Sequence, residues 1–145
     1  MSSLDFSKIN KLAVKRGGAF KMLVVDDEKW IRDVYRDFCD LTEAIDVELA
    51  LTGEEAIEKV YDTDFDLVIL DLIMPELSGL EVLVSIKKIS PQIPIMIITG
   101  NATDRLVNEA GIMGACRVLY KPVNLEDLLE EITSAIEKKC SLQTT

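Results

Sequence analysis

Residues 67–79 read Leu67-Val68-Ile69-Leu70-Asp71-Leu72-Ile73-Met74-Pro75-Glu76-Leu77-Ser78-Gly79. The first four are apolar at every position and stop at a carboxylate, the pattern of a short strand covered on both faces rather than one with a wet side. Met22 to Val25 and Ile95 to Ile98 repeat it, Val47 to Leu51 is interrupted only by Glu48, and Val118 to Tyr120 is a shorter fifth run. Strands covered on both faces belong to parallel sheets, whose crossovers are usually helices. Helical spacing fills the gaps: Ile31, Val34, Phe38 and Leu41; Ala56, Ile57 and Val60; Leu80, Leu83, Val84 and Ile86; Leu106, Val107 and Ala110; Leu125, Leu128, Leu129, Ile132 and Ile136.

Helix boundaries carry their own signals. Thr52 with Glu55 reads as a capping box, Ser78 and Thr103 precede the third and fourth helical stretches, and Asn124 with Asp127 opens the fifth. Pro91 stops the third stretch, and Gly111 and Gly114 stop the fourth. The expected fold is therefore α/β, a (βα)5 doubly wound parallel five-stranded sheet of the flavodoxin-like kind, in strand order 2-1-3-4-5. The unit is expected over residues 21–138, with an N-terminal extension over 1–20 and a C-terminal tail over 139–145. The simpler reading of the extension is a partly ordered leader. The other is a short amphipathic helix through Leu4, Phe6, Ile9, Leu12 and Ala13, with Gly17 and Gly18 as its stop or hinge.

At 145 residues, 48% hydrophobic and 29% charged, the chain suits one soluble globule and not a disordered segment. No apolar run is long enough to span a membrane, and the N-terminus lacks the apolar stretch of a signal peptide, so a cytoplasmic location is expected. Cys39, Cys116 and Cys140 are odd in number and far apart, as reduced packing thiols would be. With no histidine, the Ser/His and Cys/His nucleophile arrangements and most zinc sites are excluded. The net charge is −10; residues 1–21 carry five cations against Asp5, a balance of +4, which leaves −14 on the rest. So acidic a body repels nucleic acid.

The chemistry gathers where strands end. Asp26, Asp27 and Glu28 follow the first strand, Asp71 the third, Thr99 and Gly100 the fourth, and Lys121 and Pro122 the fifth. In a doubly wound sheet these carboxyl ends line one edge, where ligands bind, so the residues should converge. Three carboxylates in one pocket repel and call for a cation. All-oxygen ligands without histidine favour Mg²⁺, held by carboxylates together with phosphate oxygens. With Lys121 beside it, such a pocket suits in-line phosphoryl transfer onto a carboxylate.

The segments Val24-Val25-Asp26-Asp27-Glu28, Asp71 to Gly79, Ile97-Ile98-Thr99-Gly100 and Tyr120-Lys121-Pro122 resemble the signature of the receiver domains of two-component response regulators. The turn Gly53-Glu54-Glu55-Ala56 is also similar to that family's. The resemblance covers about residues 21–138. It implies that Asp71 is the phosphoacceptor, that Asp26 and Asp27 hold Mg²⁺ with Asp71, and that Ile73 lends the metal a backbone carbonyl. Thr99 would close onto the phosphoryl oxygens, Gly100 would leave room for them, Lys121 would pair with the phosphoryl group, and Pro122 would follow a cis bond. It implies a switch without separate enzymatic activity, fed by a histidine kinase or histidine phosphotransfer protein and read by a downstream effector. Partner docking falls on the first helix and the Pro122 loop, beside Trp30. The output surface, and a homodimer contact, would be the face of the Leu106–Ala110 helix, the Val118 strand and the last helix.

One position departs from the family's pattern and two others tune it. Where receivers carry a switching aromatic, three residues before the lysine, stands Val118, whose branched side chain cannot swing as a ring does. Ile73 and Asn101 occupy the places that set the lifetime of the phosphorylated state. An apolar Ile73 should hinder the attacking water and slow self-hydrolysis. The rival reading is a Mg²⁺-dependent aspartate-nucleophile phosphatase, which would need an acid where Ile73 stands.

Overall fold

Burial explains the apolar runs directly, because every position of Leu67–Leu70 and of Ile95–Thr99 is enclosed. The computed structural model describes residues 4–74 and 77–143, with side chains to residue 139. Pro75 and Glu76 of the quoted stretch, and the Cys140 thiol, lie outside the described residues. The elements are α1 (Ser7–Arg16), β1 (Phe20–Val25), α2 (Lys29–Cys39), β2 (Ile45–Ala50), α3 (Gly53–Asp62), β3 (Leu67–Leu70), α4 (Gly79–Ile89), β4 (Ile95–Thr99), α5 (Asp104–Ile112), β5 (Arg117–Tyr120) and α6 (Leu125–Gln143). All strand pairs are parallel in the order β2-β1-β3-β4-β5, the expected doubly wound topology, with β2 and β5 as the margins.

The period of two sorts side chains onto two faces. Met22, Val24, Leu67, Ile69, Met96 and Ile98 pack beneath α1, α2 and α6. Leu23, Val25, Val68, Leu70, Ile95 and Ile97 pack beneath α3, α4 and α5. Each fully buried aliphatic side chain stabilises this sandwich by about 1.5–3 kcal/mol. The helix starts are capped as the sequence predicts: Thr52, Ser78 and Thr103 accept from the N–H groups of Glu55, Glu81 and Leu106, and Asn124 accepts from Asp127. Glu55 returns a bond by accepting from the N–H of Leu51 at 3.1 Å.

Five expectations need correction. Of the two readings of the N-terminal extension, residues 4–20 follow the helical one and not the partly ordered leader: α1 buries Ile9 completely and Ala13 nearly so, sets Phe6 against Phe38 with ring centroids 5.6 Å apart, and ends at Gly17 with φ 93°. On α2 the inward stripe is Arg32, Tyr35, Phe38 and Cys39, while Val34 and Leu41 face solvent. A hydropathy reading finds Phe38 and the partly buried Ile31 but misses Arg32 and Tyr35, because both bury apolar stems behind polar tips. β2 starts two residues early and releases Leu51. Residues 139–143 continue α6 instead of forming a tail. Gly111 lies inside α5, and Gly114, with φ 110°, makes the turn that follows. Among the described residues no helix is long and apolar enough to cross a membrane.

Candidate functional site

β1 and β3 are bonded to their last residues, and the ladder delivers two carboxylates side by side. The Asp71 N–H donates to the Val25 carbonyl at 3.2 Å, and the Asp26 N–H donates to that of Ala50 at 3.1 Å. Asp26 and Asp71 are buried and Asp27 is exposed, yet one carboxylate oxygen from each lies within 4.8 Å of the others. From β5 the Lys121 ammonium donates to Asp71 Oδ2 at 2.9 Å and to Asp26 Oδ2 at 3.1 Å. The Lys121 N–H meets the Thr99 carbonyl at 2.9 Å, and the Lys121–Pro122 peptide is cis. Residues separated by up to 95 positions thus meet at the carboxyl edge of the sheet.

A family model of the response regulator receiver domain matches residues 22–133. The chain belongs to that family. It is 35% identical to the transcriptional regulatory protein CpxR homolog of Haemophilus influenzae over 123 residues, 83% of this chain and 52% of that protein. The curated relatives at the head of the comparison are longer, and the chain spans from 26% to 52% of their length. Among solved structures it is similar to a CheY-like receiver domain protein from Methanospirillum hungatei, with TM-score 0.82 and 29% identity over 86% of this chain and 98% of the other. It is also similar to a chain in a CheX-CheY-BeF3-Mg²⁺ complex from Borrelia burgdorferi, with TM-score 0.77 and 26% identity over 83% and 92%. Response regulator receivers accept a phosphoryl group on an aspartate, and pair with histidine kinases and effector domains.

In this receiver the electrostatics of the pocket are unbalanced. Burial, foremost, pushes the Asp26 carboxyl up, and the Asp71 charge adds to it against the opposing Glu28 N–H and Lys121. Burial alone would lower Lys121, but its bonds to Asp71 and Asp26 outweigh it and hold the ammonium above its ordinary value. The Lys121 ammonium is shared between Asp26 and Asp71, so the cation gains from both while its pull on Asp26 does not offset the cost of that carboxylate's burial. Burial and the same acidic charges raise the Tyr35 phenol, which stays neutral. Oxygen-only donors with a deficit of positive charge fit a hard divalent cation.

The remaining predicted residues take distinct positions. Thr99 is fully buried, and its Oγ1 has no hydrogen-bond partner among the described residues. A Cβ at Gly100 would meet only the Lys121 side chain, at 3.9–4.0 Å, so no resting contact demands glycine there. The Ile73 N–H donates to Asp71 Oδ1 at 3.0 Å while its side chain stands 48% exposed. Val118 is half-buried against the α3–α4–α5 core, and Tyr120, on the same face of β5, is paired in register with Thr99. Trp30 is exposed and its indole N–H donates to Glu28 at 2.7 Å. Two contributions escape a sequence reading. A Cβ on Gly79 would fall 2.4 Å from Leu72 Cα and 2.7 Å from the Asp71 carbonyl, so only glycine lets α4 start this close to Asp71. Arg32, buried on α2, donates to the Asp26 carbonyl at 2.7 Å.

Proposed function

We propose that this chain is the phosphoacceptor of a two-component phosphorelay, in which Asp71 takes a phosphoryl group from a phosphohistidine on a histidine kinase or histidine phosphotransfer protein. The observation that carries this reading is Lys121 bridging Asp71 and Asp26 beside Asp27, a pocket poised for one more cation. In the transfer an Asp71 oxygen forms the new P–O bond, the P–N bond breaks, and the imidazole nitrogen keeps the electron pair. Asp26, Asp27, Asp71 and the Ile73 carbonyl would hold Mg²⁺, which when bound neutralises charge on the moving oxygens. The Lys121 ammonium pairs with the phosphoryl group, and the Thr99 hydroxyl, lacking a partner at rest, donates to it. Ile73 screens the acyl phosphate from water, so the chain's own chemistry is confined to gaining and slowly losing this group.

The output is a change of partner in the cytoplasm. Ile112 and Met113, exposed at the end of α5, support a docking or homodimer face formed by α5, β5 and α6. A phosphatase is disfavoured because an isoleucine follows Asp71 by two places, where a second acid would be needed. The test is incubation with Mg²⁺ and a small acyl phosphate, read by intact mass and size-exclusion chromatography. One phosphoryl group is expected on wild type and none on Asp71→Asn; an unmodified wild type would defeat the reading.

A further inference from the structure

We propose that Arg32 is a positioning residue that sets the acidic loop for metal binding through the main chain, not through its charge; this rests on the reading of Asp26, Asp27 and Asp71 as a Mg²⁺ site. Arg32 is 8% exposed, and burying a guanidinium is costly unless its donors are used. Although three carboxylates cluster at the head of its helix, no salt bridge joins Arg32 to any of them among the described residues. Its bond goes instead to a neutral acceptor, the Asp26 carbonyl, at 2.7 Å.

That carbonyl lies where the sheet ladder stops. The last rungs are the Asp71 N–H to the Val25 carbonyl and the Asp26 N–H to the Ala50 carbonyl. Beyond them the chain must turn from β1 into α2, and the Asp26 carbonyl shares one rigid plane with the Asp27 N–H. Pinning the carbonyl therefore fixes the direction in which the Asp27 Cα leaves the strand. Asp27 needs this, because its carboxylate is exposed and among the described residues no hydrogen bond holds it, whereas Asp26 and Asp71 are each held by a following N–H and by Lys121. The Glu28 N–H to Asp26 Oδ1 and the Arg32 N–H to the Glu28 carbonyl complete a short braced turn.

The two possible roles of Arg32 predict opposite signs. A fixed positive charge near a cation site weakens cation binding, so removing a residue that acted only by charge would tighten it. Removing a brace loosens it, and outer contacts of this kind are worth roughly 10-fold or more in metal affinity. The experiment is calorimetric titration of the full chain with MgCl₂, together with the rate of phosphorylation by an acyl phosphate as Mg²⁺ is varied. For Arg32→Met we expect binding roughly 10-fold weaker and a raised half-saturating Mg²⁺, with a rate that approaches wild type at saturation. Arg32→Lys, which keeps one donor, should recover part of the affinity. Arg32→Gln, neutral but polar, serves the same comparison if the Met variant melts before it can be titrated. Binding by the neutral variants as tight as wild type, or tighter, would overturn the proposal. Absence of Mg²⁺ binding by wild type itself would instead sink the metal site on which it rests.

Discussion

Thr99 presents a cost that the resting protein already bears, since a buried hydroxyl without a partner forfeits about 1–3 kcal/mol. Thr99→Val should therefore keep or raise the melting temperature while Asp71 is still phosphorylated, and the phosphorylation-dependent change in partner binding or elution should vanish. A fall in melting temperature would mean that the hydroxyl is satisfied in solution. Gly79 makes the reverse case, because any Cβ there strikes main-chain atoms of Leu72 and Asp71 that cannot rotate away. Gly79→Ala should cost about 1–3 kcal/mol in denaturant unfolding and slow phosphorylation as well. Ile73 stands half-exposed beside Asp71, the proposed acceptor, so Ile73→Asn should shorten the phosphorylated lifetime measured by loss of the phosphoryl mass. A longer lifetime would contradict the screening role.

Among the elements, α1 has the most distinctive energetics. It lies outside the matched family span of residues 22–133, yet Ile9 is fully buried in the core beneath α2 and α6. Ile9→Ala should cost about 2–5 kcal/mol in equilibrium unfolding, an effect that a loosely attached leader would not produce. That dependence was not legible in the sequence, where Gly17 and Gly18 read equally as a stop or as a hinge. β1, β3 and β4 were legible, because enclosure on both faces leaves no position free to be polar. β2 was less so, since Ile45-Asp46 begins with an exposed acid at the sheet's margin. Asp26, Asp27, Asp71 and Lys121 could be read from their places at strand ends. Gly79 and Arg32 could not, because both act on main-chain atoms of other segments, and side-chain patterning carries no record of those contacts.

At the scale of the whole molecule, Asp66 ties three elements together ahead of β3. It accepts from Arg16 of α1 at 2.5 Å, from the Lys21 N–H of β1 at 2.8 Å and from Lys139 of α6 at 3.0 Å. Burial alone would raise its carboxyl, but these bonds prevail and hold it below its ordinary value. A lowered folded value means stability that is present above about pH 4 and lost as pH falls through the folded value. Asp66→Asn should accordingly destabilise by about 1.5–3 kcal/mol near neutrality, with the gap to wild type closing in acid. A gap independent of pH would contradict the charge pairing. The margins of the sheet have a consequence of another kind. β2 carries Asp46 and Glu48, and β5 is four residues long, opens with exposed Arg117 and runs into Pro122. Two molecules meeting along their β2 borders would set like charges against each other, and the β5 border offers too few rungs for a stranger to zip onto. Crowding at high concentration should therefore leave this receiver in solution and not seed fibrils.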